Sequence, residues 1–179
     1  MKVLTGTVQR VGSLKKVSAS DTDAACADLR ITLTGGTAGV PAQAEIVVTL
    51  NTNLGSSGRT AQLIDETAAS PPVWARKSGN RYVFGPVNMP PTVTGIRVFR
   101  ITNVRIDGTQ LPTGLAGSRQ IQASGRITNV RIDGTQLPTG LAGGATPIQA
   151  QILYASVSIS SVLLSNSKQA VASVSVLRT

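Results

Sequence analysis

The sequence predicts an all-β fold: an immunoglobulin-like, Greek-key β-sandwich carrying a duplicated β-hairpin element. Three observations lead there. Apolar and polar residues alternate with period two in short runs, clearest at 29–34, where Leu29, Ile31 and Leu33 face one way and Arg30, Thr32 and Thr34 the other. Strand and turn signals recur about every 8–14 residues, the spacing of sandwiches and barrels. Finally, the stretch 100–117, RITNVRIDGTQLPTGLAG, recurs unchanged at 126–143, an offset of 126 − 100 = 26 residues.

The composition supports the same class. Hydrophobic residues make up 41% of the 179 but aromatics only 3%, so the core must be built from Val, Ile, Leu and Ala, which favours strands. A chain of this length buries roughly 70% of its unfolded surface, enough to fold without metal or disulfide. One elongated β-sandwich region is expected over 1–179, with tandem repeat elements at 100–125 and 126–151.

Taken in order, 2–11 reads as a strand with Leu4, Gly6 and Val8 on one face. The best helix candidate, Asp21 to Leu29, is too short. In 44–50, Ile46, Val48 and Leu50 oppose Glu45, Val47 and Thr49. Residues 51–59 form a Gly/Ser/Asn loop and 60–65 a short strand. Residues 66–80, broken by Pro71-Pro72 and Gly79-Asn80, read as irregular. Arg81 to Phe84 is the next strand. Trp74, Tyr82, Phe84 and Phe99 read as a core patch rather than a stacking platform, because stacking platforms interleave aromatics with basic residues. In 92–99, Thr94, Ile96 and Val98 share a face, and the phase slips at Phe99-Arg100-Ile101, which suggests a bulge or corner. Inside the repeat, Val104 and Ile106 alternate with Arg105. Asp107-Gly108 is then a type I′ turn signal, and Thr109-Gln110-Leu111 starts a return strand. Residues 148–160 set Leu153, Ala155, Val157 and Ile159 against Tyr154, Ser156, Ser158 and Ser160. Asn166-Ser167 turns the chain into a last strand with Ala172, Val174 and Val176 on one face.

The chemistry read from the residues is sparse. With no histidine, the commonest general base and metal ligand is missing. The single cysteine, Cys26, reads as a small buried residue. Gly35-Gly36-Thr37-Ala38-Gly39 lacks the lysine and helix of a phosphate cradle. Asp65 and Glu66 point to opposite faces of a strand and make poor acid/base partners. Asp21, Asp23 and Asp28 offer closely spaced oxygen ligands for Ca²⁺, but without the glycine and glutamate of an EF-hand loop they read better as a solvated acidic loop. No catalytic residue, cofactor, metal or small-molecule substrate is expected.

Net charge is +9, from 17 basic and 8 acidic residues, a balance that suits a polyanion such as acidic polysaccharide or nucleic acid. Arg97, Arg100, Arg105, Arg126 and Arg131 are the candidates for a basic strip. No stretch approaches the ~18 apolar residues of a spanning helix. Met1-Lys2-Val3-Leu4, running into Thr5 and Gly6, carries no signal-peptide hydrophobic region.

The segments ADLRITLTGGT, EIVVTLNTNL, TAQLIDE and VFRITNVRIDGTQL, with a Ser/Val-rich tail containing NSKQAV, resemble in phrase and order a group of uncharacterised, secreted β-rich proteins of acidobacterial type. The resemblance spans most of the chain and implies export and an extracellular or cell-surface role; it carries no functional residues. In that group the RITNVR phrase stands once, whereas here it stands twice.

The leading expectation is an extracellular structural protein, a subunit that pairs strands with copies of itself into a filament or surface layer. A polyanion-binding module and a viral capsid or decoration protein are the alternatives. Because two identical β-elements cannot share one slot, the spare copy is expected to leave an edge open to a neighbour. That places the subunit contact at or beside 100–145, with Arg100, Val104, Arg105, Ile106, Arg126, Val130, Arg131 and Ile132 as candidate interface residues.

Overall fold

The computed structural model describes residues 4–18, 20–35, 43–89, 94–110 and 149–176. They form fourteen strands: β1 Thr5–Val11, β2 Lys15–Val17, β3 Ala24–Ala25, β4 Asp28–Thr34, β5 Gln43–Leu50, β6 Gln62–Asp65, β7 Val73–Trp74, β8 Arg76–Ser78, β9 Arg81–Asn88, β10 Ile96–Thr102, β11 Arg105–Ile106, β12 Gln149–Ile159, β13 Leu163–Ser165 and β14 Lys168–Val176. One 3-10 turn, Gly108–Gln110, is the single helical element among the described residues. No helix there is long and apolar enough to cross a membrane.

The fold is an all-β sandwich. The first sheet runs β13-β1-β4-β10-β6-β7 and the second β2-β14-β12-β5-β9-β8, while β11 and β3 make a small third sheet. Neighbours are antiparallel except at β1–β13 and β2–β14, where the strands from the two ends of the chain run parallel. Alternation builds the core as expected. Val8, Leu29, Ile31, Leu33 and Ile101 of the first sheet and Ile46, Val48, Leu50, Leu153, Ala155 and Val157 of the second are buried in one cluster. Gly6 lies on this inner side because a Cβ there would come within 2.5 Å of Leu33 Cδ2 and 2.8 Å of Leu164 Cδ2.

β10 keeps one phase throughout, without the slip expected at Phe99-Arg100-Ile101. Ile96 is exposed and Val98 half-buried on the outer face, whereas Arg97, Phe99 and Ile101 point inward without a slip. The reason is a charge pair. Arg97 Nη1 donates to Asp65 Oδ2 at 3.1 Å and to the Asn88 carbonyl at 3.3 Å, and its guanidinium lies 5.7 Å from the Phe99 ring centroid. Both side chains of the pair are only 9% exposed. An inward arginine is invisible to a pattern that counts apolar residues, and the apparent slip at Phe99-Arg100-Ile101 follows from it.

Two bulges let odd spacings face the core. In β9, Phe84 and Val87 are both buried because the pairing with β5 shifts between Ala44 and Ile46. Gly85 sits there at φ 138°, which favours glycine, and the following Pro86 has no N–H to lose from the ladder. In β14, Val171 and Ala172 are both buried beside the shift at Leu153/Tyr154.

Residues 66–80 are less irregular than expected, since β7 and β8 carry the chain from the edge of the first sheet to the edge of the second through buried Ala75. Three of the four clustered aromatics are buried as expected, but Trp74 on β7 is 60% exposed.

Removing one partner of a buried ion pair strands the other. Asp65→Ala should therefore lower the unfolding free energy by about 3–5 kcal/mol in urea titrations, while its neighbour Glu66→Ala, on the outer face, changes it by less than about 1 kcal/mol.

Candidate functional site

The repeat is the natural place to begin. Its described part, 100–110, makes neither a hairpin nor an edge. Arg100, Ile101 and Thr102 belong to β10, which lies between β4 and β6 inside the first sheet. Asn103 then turns the chain at φ 57°, a left-handed conformation that asparagine tolerates. β11 pairs with β3, and Leu54 bridges Ile106. Gly108 is not left-handed, so Asp107-Gly108 is not a type I′ turn. Glycine is needed there because a Cβ would run into the carbonyl oxygens of Ser18 and Asp21. Asp107 has the structural job expected of it, with Oδ1 accepting the Thr109 N–H at 2.9 Å.

These facts correct the interface candidates. Val104 is 1% exposed and Ile106 not at all, so both are core residues and cannot contact a neighbouring subunit. Nor do Arg97, Arg100 and Arg105 form a basic strip. Arg97 is buried against Asp65. Arg100 holds Asp28 at 2.8 Å and approaches Glu66 at 3.9 Å. Arg105 holds Asp23 at 3.0 Å. Each guanidinium meets a carboxylate from a strand or loop far away in sequence, which no local pattern reveals. Arg126, Val130, Arg131 and Ile132 lie outside the described residues.

Around Arg105 the polar groups interlock. Its Nη1 also donates to the Asp23 carbonyl at 2.7 Å and its Nε to Asn103 Oδ1 at 2.9 Å. The Tyr82 hydroxyl, reaching from the second sheet, donates to the Arg105 carbonyl at 3.0 Å and accepts the Arg105 N–H at 3.2 Å. Ser57 Oγ donates to Asp23 Oδ1 at 2.8 Å, and Lys77 Nζ donates to the carbonyls of Gly55 and Ser57 at 3.0 and 2.6 Å. A Cβ at Gly55 would fall on Asp23 Oδ1. This cluster is a latch tying the small sheet to both large ones. It also accounts for the acidic loop. Asp23 serves Arg105, Asp28 serves Arg100, and Asp21 Oδ1 accepts the Asp23 N–H. The three carboxylates do not converge on a Ca²⁺ site, and no metal-holding group of acidic, Cys or His residues occurs among the described residues.

The two outer faces differ. On the first sheet, register sets Leu163, Thr5, Thr34 and Ile96 in one row across four strands. Farther along, Arg30, Glu66, Arg100 and Asp28 form a neutral ion network, and hydrogen bonding to Glu66 raises the Arg30 pKa. Thr102, Gln62 and Trp74 form another row on this face. On the second sheet Arg81 lies across from Thr49, Arg76 across from Val83, and Lys168 lies 4.7 Å over the Tyr154 ring. Glu45 lies 4.0 Å from Arg76.

The edges differ in the same way. β2 carries Lys15 and Lys16 and β8 carries Arg76 and Lys77, charges that discourage strand addition. β13 and β7, the edges of the first sheet, carry no charge. They present instead the two most exposed large apolar side chains among the described residues, Leu163 at 71% and Trp74 at 60%. Sequence reasoning missed both: Leu163 lies in a three-residue strand, and Trp74 was assigned to the core.

Comparison with protein-family models, curated proteins and solved structures finds no significant match.

Cys26 is buried, as expected. Burial pushes its thiol from 9.0 up to about 12, and burial also raises the Tyr82 phenol, partly offset by its hydrogen bond to the Arg105 backbone. Between these values the unfolded chain releases a proton that the folded one keeps, so stability is full below about pH 9 and falls as pH rises. The slope approaches about 1.4 kcal/mol per pH unit for one such group. Urea midpoints measured at pH 8 and pH 10.5 should show that loss, and Cys26→Ala should lessen it.

Proposed function

We propose that this protein is a non-enzymatic structural subunit that assembles with copies of itself by extending its first sheet. The observation that carries this reading is the pair of uncharged edges. Following the pairings β1–β4, β4–β10, β10–β6 and β6–β7, each antiparallel, β7 runs the same way as β1, and so does β13. A copy added across the sheet thus brings its β7 beside β13 as a parallel strand pair, with the twist of the sheet carried on as a rotation from one copy to the next. Trp74 and Leu163 then project from the same face. They lie in rows set by Thr102 and Ile96, so bringing them together staggers the copies by about 20 Å at about 3.3 Å per residue. Such a head-to-tail contact does not close on itself and builds a filament. The basic edges of the second sheet oppose the competing contact. The resemblance to exported β-rich proteins supports an extracellular or cell-surface location.

A second reading, binding of an acidic polysaccharide, is favoured by the basic outer face and edges of the second sheet. Its candidates are Lys15, Lys16, Arg76 and Arg81 rather than the arginines of the repeat.

Negative-stain electron microscopy tests the assembly. The protein should form filaments, and Leu163→Lys or Trp74→Lys should abolish them with the circular dichroism unchanged. A wild-type protein that stays monomeric at high concentration, or filaments that survive both substitutions together, would refute the assembly reading. For the polysaccharide reading, heparin retention at low salt should fall when Lys15, Lys16 and Arg81 are changed to Gln, and should vanish at moderate salt. Retention unaffected by the substitutions would remove that face from consideration.

A further inference from the structure

Apart from the local bonds Arg105–Asn103 and Thr109–Asp107, the groups that hold 100–110 in place lie outside the repeat. Asp28 and Glu66 take Arg100, and Gln62 pairs with Thr102. The Thr60 carbonyl accepts from Asn103 Nδ2, and the Cys26 N–H donates to the Val104 carbonyl. Asp23, Tyr82 and Gly55 hold Arg105, Ala24 and Leu54 lie against Ile106, and the Asn53 and Asp21 carbonyls accept from the N–H groups of Asp107 and Gly108. These groups form a receptor slot for the sequence RITNVRIDG. The chain contains that sequence twice, at 100–108 and 126–134.

We infer that this slot is a binding site for either copy, and that the chain exchanges between two registers in which 100–110 or 126–136 occupies it. Each of these contacts has an identical donor, acceptor or apolar group in the second copy, down to Asn129 for the left-handed turn and Gly134 for the close approach to Ser18 and Asp21. The connections permit the exchange. In the register described, 111–148 joins the slot to β12 and 90–93 lies between the described parts of β9 and β10. In the other register, 26 residues pass from the connection that follows the slot to the one that precedes it.

What separates the registers lies upstream of the identity. At the two inward positions before the repeat, Arg97 and Phe99 would give way to Ala123 and Gly125. The second register therefore loses a buried ring and leaves Asp65 without its guanidinium. The first register dominates for that reason, and the second is its minor partner. The inference is independent of the assembly reading, because the slot lies between β4, β6 and β3 and does not involve β13 or β7.

The full chain carrying Val104→Asp and Ile106→Asp tests it. Two buried aspartates leave the first copy unable to occupy the slot. With the second copy available, circular dichroism should still report a folded, cooperatively melting monomer of lower Tm. Adding Val130→Asp and Ile132→Asp should abolish the fold, whereas those two alone should leave the melting curve unchanged. A first pair that unfolds the chain as completely as all four overturns the exchange, and so does rescue found only in oligomers. A second variant works in the opposite direction. Ala123→Arg with Gly125→Phe restores the two inward groups to the second register, so amide signals of Cys26 and Gly55 should double in nuclear magnetic resonance spectra. A single set of signals would overturn the inference.

Discussion

A guanidinium in a protein core needs a carboxylate within hydrogen-bonding reach, and for Arg97 that carboxylate is Asp65, two strands joined at 3.1 Å. Much of the first sheet follows from this one contact. With Arg97 inward, Phe99 and Ile101 must also point inward, and Ile96, Val98 and Arg100 must point out. Arg100 then reaches Asp28 on β4, while Glu66, one residue beyond Asp65, turns to the opposite face and meets Arg30. The adjacent acids Asp65 and Glu66 thus lock the inner and outer faces of the same sheet, which their opposite orientation in a strand makes available.

The second constraint is the shortage of large side chains. Tyr82, Phe84 and Phe99 are fully buried, and the rest of the core is mainly Leu, Ile, Val and Ala. Tyr82 uses both of its chemistries, since its ring fills the core and its hydroxyl secures the backbone of β11. The slot for the repeat is therefore finished by a residue of the opposite sheet, so neither sheet alone would hold that segment.

How far these features are legible in the sequence depends on whether the signal is local. β4, β5 and β12 are buried on one face, and their alternation appears directly in Leu29, Ile31 and Leu33 or in Leu153, Ala155 and Val157. β10 suggests a slip at Phe99-Arg100-Ile101 because its inward Arg97 resembles a solvent residue until Asp65 is placed beside it. β7 and β8 are too short to show a period. Asp107-Gly108 looks like a hairpin turn because dipeptide statistics report the freedom of glycine's backbone, whereas here the absence of a side chain is what the packing requires. Arg97 and the repeat's Arg100 and Arg105 gave a correct charge count but a wrong surface, since their partners Asp65, Asp28 and Asp23 come from remote segments. Strand order, and with it the contrast between charged and uncharged edges, is a property of the whole topology that no single segment carries.

The parallel pairs β1–β13 and β2–β14 also have a mechanical meaning. Tension applied at Leu4 and Val176 pulls β1 from its first residue and β14 from its last, and each is held by a parallel partner from the other end of the chain, β13 and β2. Hydrogen bonds across such a pair are loaded together in shear rather than opened one after another, as they would be in a hairpin pulled from its open end. The chain is thus joined to itself where a stretched molecule would first give way.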